Sequence, residues 1–243
     1  RYSSILRSCR GLFSASKSVE RHEWLQYIEN ERINEENYPG LVGVSYIVYV
    51  KNNQFDSYIE ATRADGVPFF SIHPGGTREE YRVVTYIAPV DRNLAALGYD
   101  SGTDRDRVLA MDRARDTDKA AMSSIVRMAH DTTGEPGLAL DLPVYDNQLS
   151  ANRVDERREA TRGWGSLSLR SDDIMADIRD IHEAQIDFEI IDGDHNSLSD
   201  AAPALIYQNF MHDEKPKHEV LLQAQLGGRP WTFRLATRPG YGD

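Results

Sequence analysis

Residues 41–50, LVGVSYIVYV, place Val42, Val44, Tyr46, Val48 and Val50 on one side of an extended chain and Leu41, Gly43, Ser45, Ile47 and Tyr49 on the other. Apolar side chains on both sides make this a mostly buried strand, and such a strand commits the chain to a sheet packed into a core. Tyr38-Pro39-Gly40 is the break that separates it from what precedes. Upstream, residues 2–32 contain no Pro and a single Gly, Gly11, and apolar residues recur at Ile5, Leu6, Cys9, Leu12, Phe13, Val19, Trp24, Leu25 and Ile28. The spacing predicts one helix of about thirty residues, roughly 45 Å long at ~1.5 Å per residue. That is longer than a compact lobe needs and suits a stalk or a dimer seam; an ordinary packing helix explains the stripe but not the length.

Downstream, residues 55–64 read as a short helix closed by Asp65-Gly66, and residues 69–72 and 81–88 as strands separated by the turn His73-Pro74-Gly75-Gly76. A helix is expected over 104–116, then strands near 120–127 and 138–145. Residues 146–162 are polar and Arg-rich with few core candidates, which makes them the best place for a lobe boundary. Beyond them the pattern restarts: a strand at 164–169, a helix at 173–184, a strand at 186–191, and a hairpin of 220–226 and 231–235 closed through Gly227-Gly228-Arg229-Pro230. The expected fold class is therefore α+β. A long N-terminal helix (1–40) carries two lobes with antiparallel sheets, 41–150 and 151–243.

The length of 243 residues leaves one long domain or two packed lobes open. No window approaches 18 uninterrupted apolar residues, so nothing in the sequence spans a membrane as a helix. A net charge of −11, spread along the chain, disfavours binding to a phosphate backbone and with it nucleic acid as a partner. Cys9 is the single cysteine; it has no disulfide mate and no ligand neighbours at zinc spacing, and reads as a small hydrophobe on a helix. The chain starts at Arg1 without a Met and ends at Asp243 just after an apparent strand. Such ends are expected of an excised extracytoplasmic domain, and a trimmed cytoplasmic domain would look the same.

Asp192-Gly193-Asp194-His195-Asn196 matches the opening of a calcium loop, but Ser197 stands where a Gly is needed and Pro203 where a bidentate Glu should close the cage. It reads as a solvated loop, and no metal site is expected. His73-Pro74-Gly75-Gly76 reads as an ordinary turn. No G-x-S-x-G, P-loop, H-E-x-x-H or C-x-x-C is present, and the seven His are scattered, so no catalytic residue and no cofactor is expected. In Leu97-Gly98-Tyr99-Asp100-Ser101-Gly102-Thr103, Ser101 or Thr103 is expected to cap the following helix, whose first turn carries Asp104 and Asp106. On local grounds Asp100 is then one more polar residue near a cap.

The order of several segments carries more than any one of them. Tyr38-Pro39-Gly40 is followed by Arg78, Glu80-Tyr81, 83–89 (VVTYIAP), Asn93, Leu97-Gly98-Tyr99-Asp100, Arg107, Ala110 and 114–117 (ARDT), then by 143–145 (PVY), Gly163-Trp164 and 228–231 (GRPW). This ordered set resembles the CHASE domain, the extracytoplasmic sensor module of many receptor histidine kinases and nucleotide cyclases, over nearly the whole chain. The resemblance implies a stalk helix running outward from one transmembrane helix, two stacked PAS-like lobes, and a last strand leading toward a second transmembrane helix. It also implies homodimerisation through the long helices, membrane anchoring of the full-length protein, a periplasmic or extracellular location and a small-molecule ligand in the membrane-distal lobe, 41–150. In the cytokinin receptors of the family, an Asp at the place held by Asp100 hydrogen-bonds an adenine-type ligand, and flanking pocket positions correspond to Met122 and Thr132. By the same resemblance Tyr86, Leu140 and Leu142 line the pocket and Gly163 leaves room beside it. Met122 stands where the plant receptors carry a branched apolar residue, and the Arg-rich stretch 146–162 is a further departure, so the ligand stays open.

The expected function is thus a ligand-sensing domain that performs no chemistry and passes a signal to a cytoplasmic kinase or cyclase. The competing readings are a protein- or peptide-interaction module with a vestigial pocket, and a hydrolase using scattered acids, which has no motif in its favour.

Overall fold

The computed structural model describes residues 2–128, 137–174, 186–194, 196, 204–210 and 216–238. It is an α+β chain with two antiparallel sheets. The first sheet has five strands in the order β2-β1-β5-β4-β3: β1 (Leu41–Lys51), β2 (Glu80–Ala88), β3 (Ala121–Met122), β4 (Gly137–Tyr145) and β5 (Thr161–Arg170). The second has four in the order β7-β6-β9-β8: β6 (Ile186–Asp192), β7 (Leu205–Gln208), β8 (Glu219–Leu226) and β9 (Arg229–Thr237). β1 pairs with β2 on one side and β5 on the other, and its faces are apolar because both are covered: Val44 and Tyr46 pack with Leu6 and Phe13, and Ile47 with Met111 and Ala114.

The N-terminal stripe forms two helices, not the single long one its spacing predicts: α1 (Tyr2–Ala15) and α2 (Arg21–Asn30). They fold back on each other. Phe13 meets Trp24 with ring centres 5.8 Å apart, and the Tyr27 hydroxyl donates to the Ile5 carbonyl at 3.1 Å. Ser16, Lys17 and Ser18 bring nothing apolar to bury, and the Arg162 guanidinium takes up the carbonyls of Phe13, Ser16 and Lys17 at 3.0–3.2 Å, closing the end of α1. Glu20 and Glu23 then start α2 as a reciprocal capping box. The apolar stripe is satisfied by this hairpin and by the sheet: Ile5, Leu6, Cys9, Phe13 and Trp24 join the core with Tyr46, Leu140 and Leu167.

Other differences from the expected elements are local. The strand at 164–169, expected to open the second half, is β5 and lies between β1 and β4 of the first sheet. The polar stretch before it, with α6 (Val154–Ala160), connects two neighbouring strands of that sheet. Residues 69–72 are not a strand, and 120–127 shrinks to the two residues of β3, because β3 lies at the sheet edge with only β4 to pair with. Of the helix expected at 173–184, only α7 (Ser171–Ile174) falls within the described residues. The remaining helices are α3 (Phe55–Ala64), the single turn α4 (Val90–Asn93) and α5 (Arg105–Thr117).

The two sheets touch through a hairpin tip. The Gly227 carbonyl, in the turn between β8 and β9, accepts from the Met122 amide of β3 at 2.9 Å. Behind that turn, Arg229 holds the buried Asp192 by two bonds of 2.8 and 2.7 Å, the bidentate geometry that matches guanidinium to carboxylate.

Candidate functional site

One face of the first sheet is covered by α1 and α2; the other is covered by α5 and the chain from Leu94 to Asp104. On that second face a row of side chains crosses all five strands in register: Ile87, Ser45, Ser166, Asp141 and Ala121. The three polar residues in the middle of this row, Ser45, Ser166 and Asp141, are all buried and are the feature the packing does not require. Above them α5 and the chain before it leave a small cavity of about 20 Å³, bounded among others by Ser45, Asn93, Tyr99, Ser101, Arg107 and Ser166.

Two of the polar side chains at this cavity, Asn93 and Arg107, are held by the scaffold on one side and left open on another. Asn93, 1 % exposed, donates its amide to the carbonyls of Val42 and Pro89 at 3.1 and 2.9 Å, while its Oδ1 has no hydrogen-bond partner among the described residues. Arg107 donates to the Arg127 carbonyl at 3.4 Å and lies 3.6 Å from Asp104, but its Nε makes no hydrogen bond among the described residues. The Ser101 hydroxyl is likewise unpartnered there. Asp141, 1 % exposed, sits beside Ser166 in the row, and both of its carboxylate oxygens are unpartnered among the described residues. Burial pushes its pKa up to about 6; the Ser166 hydroxyl opposite and the guanidinium groups of Arg107 and Arg82 offset only part of that rise. Ser166 does not close hydrogen-bond geometry to either carboxylate oxygen. Orphaned buried polar atoms are uncommon in folded proteins, and groups like these around a small cavity are satisfied by an ordered water or by a ligand.

Asp100 lies between Tyr99 and Ser101, which both line the cavity. The chain 98–100 runs along the free edge of β2, with Gly98 and Tyr99 bonded to both backbone groups of Val84. Asp100 Oδ1 accepts from the amides of Arg82 and Gly102, both at 2.9 Å, and Oδ2 faces Arg78 Nε at 3.5 Å with no hydrogen bond. The carboxylate thus stands in for a backbone carbonyl at the sheet edge and caps the 3₁₀ turn that starts at Ser101. α5 is capped by Asp104, which accepts from the amides of Asp106 and Arg107, and not by Ser101 or Thr103; the Thr103 hydroxyl is turned back to the Asp100 carbonyl at 2.7 Å. Gly98 is required at its place: its φ is +84° and a Cβ there would lie 2.2 Å from the Ser71 carbonyl oxygen.

Tyr86, Met122, Leu140 and Leu142 join the core under α1 and α2, and Gly163 is paired with Val48 and Val144 in the middle of the same sheet. The Tyr86 hydroxyl donates to the Val19 carbonyl at 2.6 Å, and its ring lies under the Arg21 guanidinium, 5.0 Å away. Tyr86 also borders an open groove of about 600 Å³ between α3, the link from α1 to α2, and the sheet, together with Phe13, Tyr46, Tyr58 and Asp65. Asp100 is therefore separated from the other five residues, and Thr132 lies outside the described residues. Asp141 was not among the expected site residues, although the signal was present: it is the one charged side chain in 137–145, GLALDLPVY. Ser45 is similarly placed in the apolar run 41–50, whereas Ser166 alternates with Ser168 in β5 and carries no such signal.

Elsewhere, the calcium-like loop is committed to structure. Asp192 is bound to Arg229, and Asp194 accepts from the Asn196 amide at 3.0 Å. No metal-binding group of His, Cys, Asp and Glu occurs among the described residues.

The family model of the CHASE domain matches residues 17–207. No curated protein matches the chain. Among solved structures, an extracellular ligand binding receptor from Desulfohalobium retbaense superposes with a TM-score of 0.56 at 13% identity over 97% of this chain, which spans 36% of that receptor. The ligand binding domain of the Pseudomonas aeruginosa amino acid chemoreceptor PctC, in complex with GABA, gives 0.52 at 13% identity over 96% of this chain and 90% of that one. The periplasmic sensory domain of the Campylobacter jejuni chemoreceptor Tlp1 gives 0.55 at 12% identity over 98% and 86%.

Proposed function

We propose that this chain, which belongs to the CHASE domain family, is the extracytoplasmic ligand-sensing domain of a membrane receptor, and that it binds a small molecule in the cavity between the first sheet and α5. The observation that carries this reading is that Asn93, Ser101 and Arg107, each with a buried atom unpartnered among the described residues, line one small cavity, with Asp141 next to its lining residue Ser166. The three solved structures named above, an extracellular ligand binding receptor and two chemoreceptor sensory or ligand-binding domains, support it. In this reading the two sheets are the cores of two PAS-like lobes, the first membrane-distal, and the domain is not an enzyme. The full-length protein is a histidine kinase or nucleotide cyclase that dimerises through its N-terminal helices.

Ligand binding signals only through a difference in affinity between two states of the receptor. The contact of Gly227 with Met122 offers a path: a shift of α5 or β3 on ligand entry reaches the second sheet at the β8–β9 turn. Asp100 acts here as a positioning residue, holding Ser101 and the start of α5 against β2, with Tyr86, Leu140, Leu142, Met122 and Gly163 supporting the sheet from behind.

The small volume of the cavity favours one competitor, an interaction module whose pocket is filled by its own side chains. A thermal-shift screen of amino acids, GABA, adenine derivatives and small amines separates the two. The sensing reading expects at least one hit that is weakened by Arg107→Ala; a screen without hits, or hits indifferent to that change, supports the interaction module.

A further inference from the structure

On the opposite face of the first sheet, the groove of about 600 Å³ is large enough for a small organic molecule. It exists because several side chains that α3 and β1 bring to it are small: Ala61, Ala64 and Val48. Its lining is otherwise aromatic. Tyr46 and Tyr86 are paired neighbours on β1 and β2, Phe13 lies flat on Tyr46 with ring centres 3.6 Å apart, and Tyr58 of α3 completes the set. Two of the tyrosines are tied at their polar ends: the Tyr86 hydroxyl donates to the Val19 carbonyl, and the Tyr58 and Thr85 hydroxyls bond each other, both at 2.6 Å. Tyr46 is 4 % exposed, and its hydroxyl has no hydrogen-bond partner among the described residues.

Four charged groups meet at this groove, two of each sign: Glu20, Asp65 and Arg162 line it, and Arg21 stands beside Asp65. Glu20 and Arg162 are committed to helix ends, the first in the capping box of α2 and the second on the carbonyls that close α1. Asp65 is held loosely. It accepts from the Arg21 amide and the Tyr86 hydroxyl at 3.4 Å each and lies 3.6 Å from Arg21 Nε, all longer than the ~2.7–2.9 Å of a charge-assisted hydrogen bond. Its carboxylate therefore has capacity left for a donor. Balanced charge gives no advantage to a ligand with a net charge of either sign, and aromatic walls favour a flat ring.

We infer that this groove is a second ligand site, for a flat, uncharged aromatic molecule bearing an N–H or O–H donor, with Asp65 accepting from that donor and the ring packed among Tyr46, Tyr58 and Tyr86. The inference goes beyond the sensing function assigned to the cavity under α5. The two sites lie on opposite faces of one sheet: Ser45 and Tyr46, consecutive in β1, line one each.

The test uses four molecules built on one ring: indole (neutral, one N–H), 1-methylindole (no N–H), tryptamine (cationic) and indole-3-acetate (anionic), titrated into isotope-labelled protein at pH 7.5. The reporter is the side-chain N–H resonance of Trp24, which is buried against the groove residues Phe13 and Tyr86 with ring centres 5.8 and 6.0 Å away. Indole is expected to shift it, with 1-methylindole about tenfold weaker for the loss of one charge-assisted hydrogen bond. Neither charged analogue is expected to bind more tightly than indole. Ala61 is exposed on α3, so Ala61→Phe fills the groove without disturbing the core and is expected to abolish the shift, whereas Ala61→Ser keeps it. Asp65→Asn keeps an acceptor but removes the charge, and is expected to narrow the preference for indole over 1-methylindole.

Binding of 1-methylindole as tight as that of indole would overturn the donor contact to Asp65, and tryptamine or indole-3-acetate binding more tightly than indole would overturn the uncharged class. Indole binding that survives Ala61→Phe would overturn the groove as the site; if Arg107→Ala then removes it, the molecule sits under α5 and the sensing function stands without the second site. No shift with any of the four would also overturn the proposal, and the thermal-shift screen decides the sensing function separately.

Discussion

Replacing Asp141 by Asn should make the protein more stable at neutral pH and leave it nearly unchanged at pH 4. The folded chain raises this carboxyl from 3.8 to about 6, chiefly by burial. A raised acid favours its protonated form in the folded state. Below the unfolded value both states carry the proton and the site costs nothing. Between about 4 and 6 the unfolded chain ionises first, and stability drains away; above about 6 the full penalty is present. A rise of that size corresponds to about 3 kcal/mol. Asn has the same shape without the charge, so at pH 7.5 the variant should gain up to about 3 kcal/mol, or roughly 6–12 °C in Tm for a chain of this size. Thermal unfolding of both proteins at pH 4 and pH 7.5 measures the difference, and comparing variant with parent cancels every other titrating group. A gain equal at both pH values, or a loss at pH 7.5, would refute the reasoning, because it would mean that Asp141 is paired or wet in the folded protein. A stability gain from removing a site residue is the usual mark of a group kept for binding and not for folding.

The other predictions concern positions where backbone or charge is crowded. Gly163→Ala places a Cβ 2.1 Å from the Ile47 carbonyl oxygen in the middle of the first sheet, so it should destabilise by about 3 kcal/mol or more, read as a drop in denaturation midpoint. Asp192→Ala strands Arg229 beside a buried strand end and should cost about 3 kcal/mol; Asp192→Ala combined with Arg229→Met should recover much of it, and a double variant no better than the single one would exclude the ion pair as the cause.

What could be read from the chain alone is what depends on near neighbours in sequence. The alternation of 41–50 identified β1, Ser101-Gly102-Thr103 followed by Asp104 and Asp106 identified the start of α5 although Asp104 and neither Ser101 nor Thr103 is its cap, and the double Gly at 227–228 identified the β8–β9 hairpin, since each is a local periodicity or a local backbone demand. The class of fold followed, as did the CHASE family, because an ordered set of such segments survives where individual residues vary. Two things followed from contacts that no local window contains. The break between α1 and α2 is made by Arg162, which closes α1 from some 150 positions away, and by Tyr27 and Trp24 turning back onto Ile5 and Phe13. The row of Ser45, Ser166 and Asp141 exists only once β1, β5 and β4 take their register, and a shift of one residue would carry these side chains to the other face. Sequence pointed to Asp100 as the acid of the site, and the tertiary structure places it at a sheet edge holding backbone amides. The carboxylate left without a partner among the described residues is Asp141, because burial and the pairing of neighbouring charges are properties of the packed chain and not of any stretch of it.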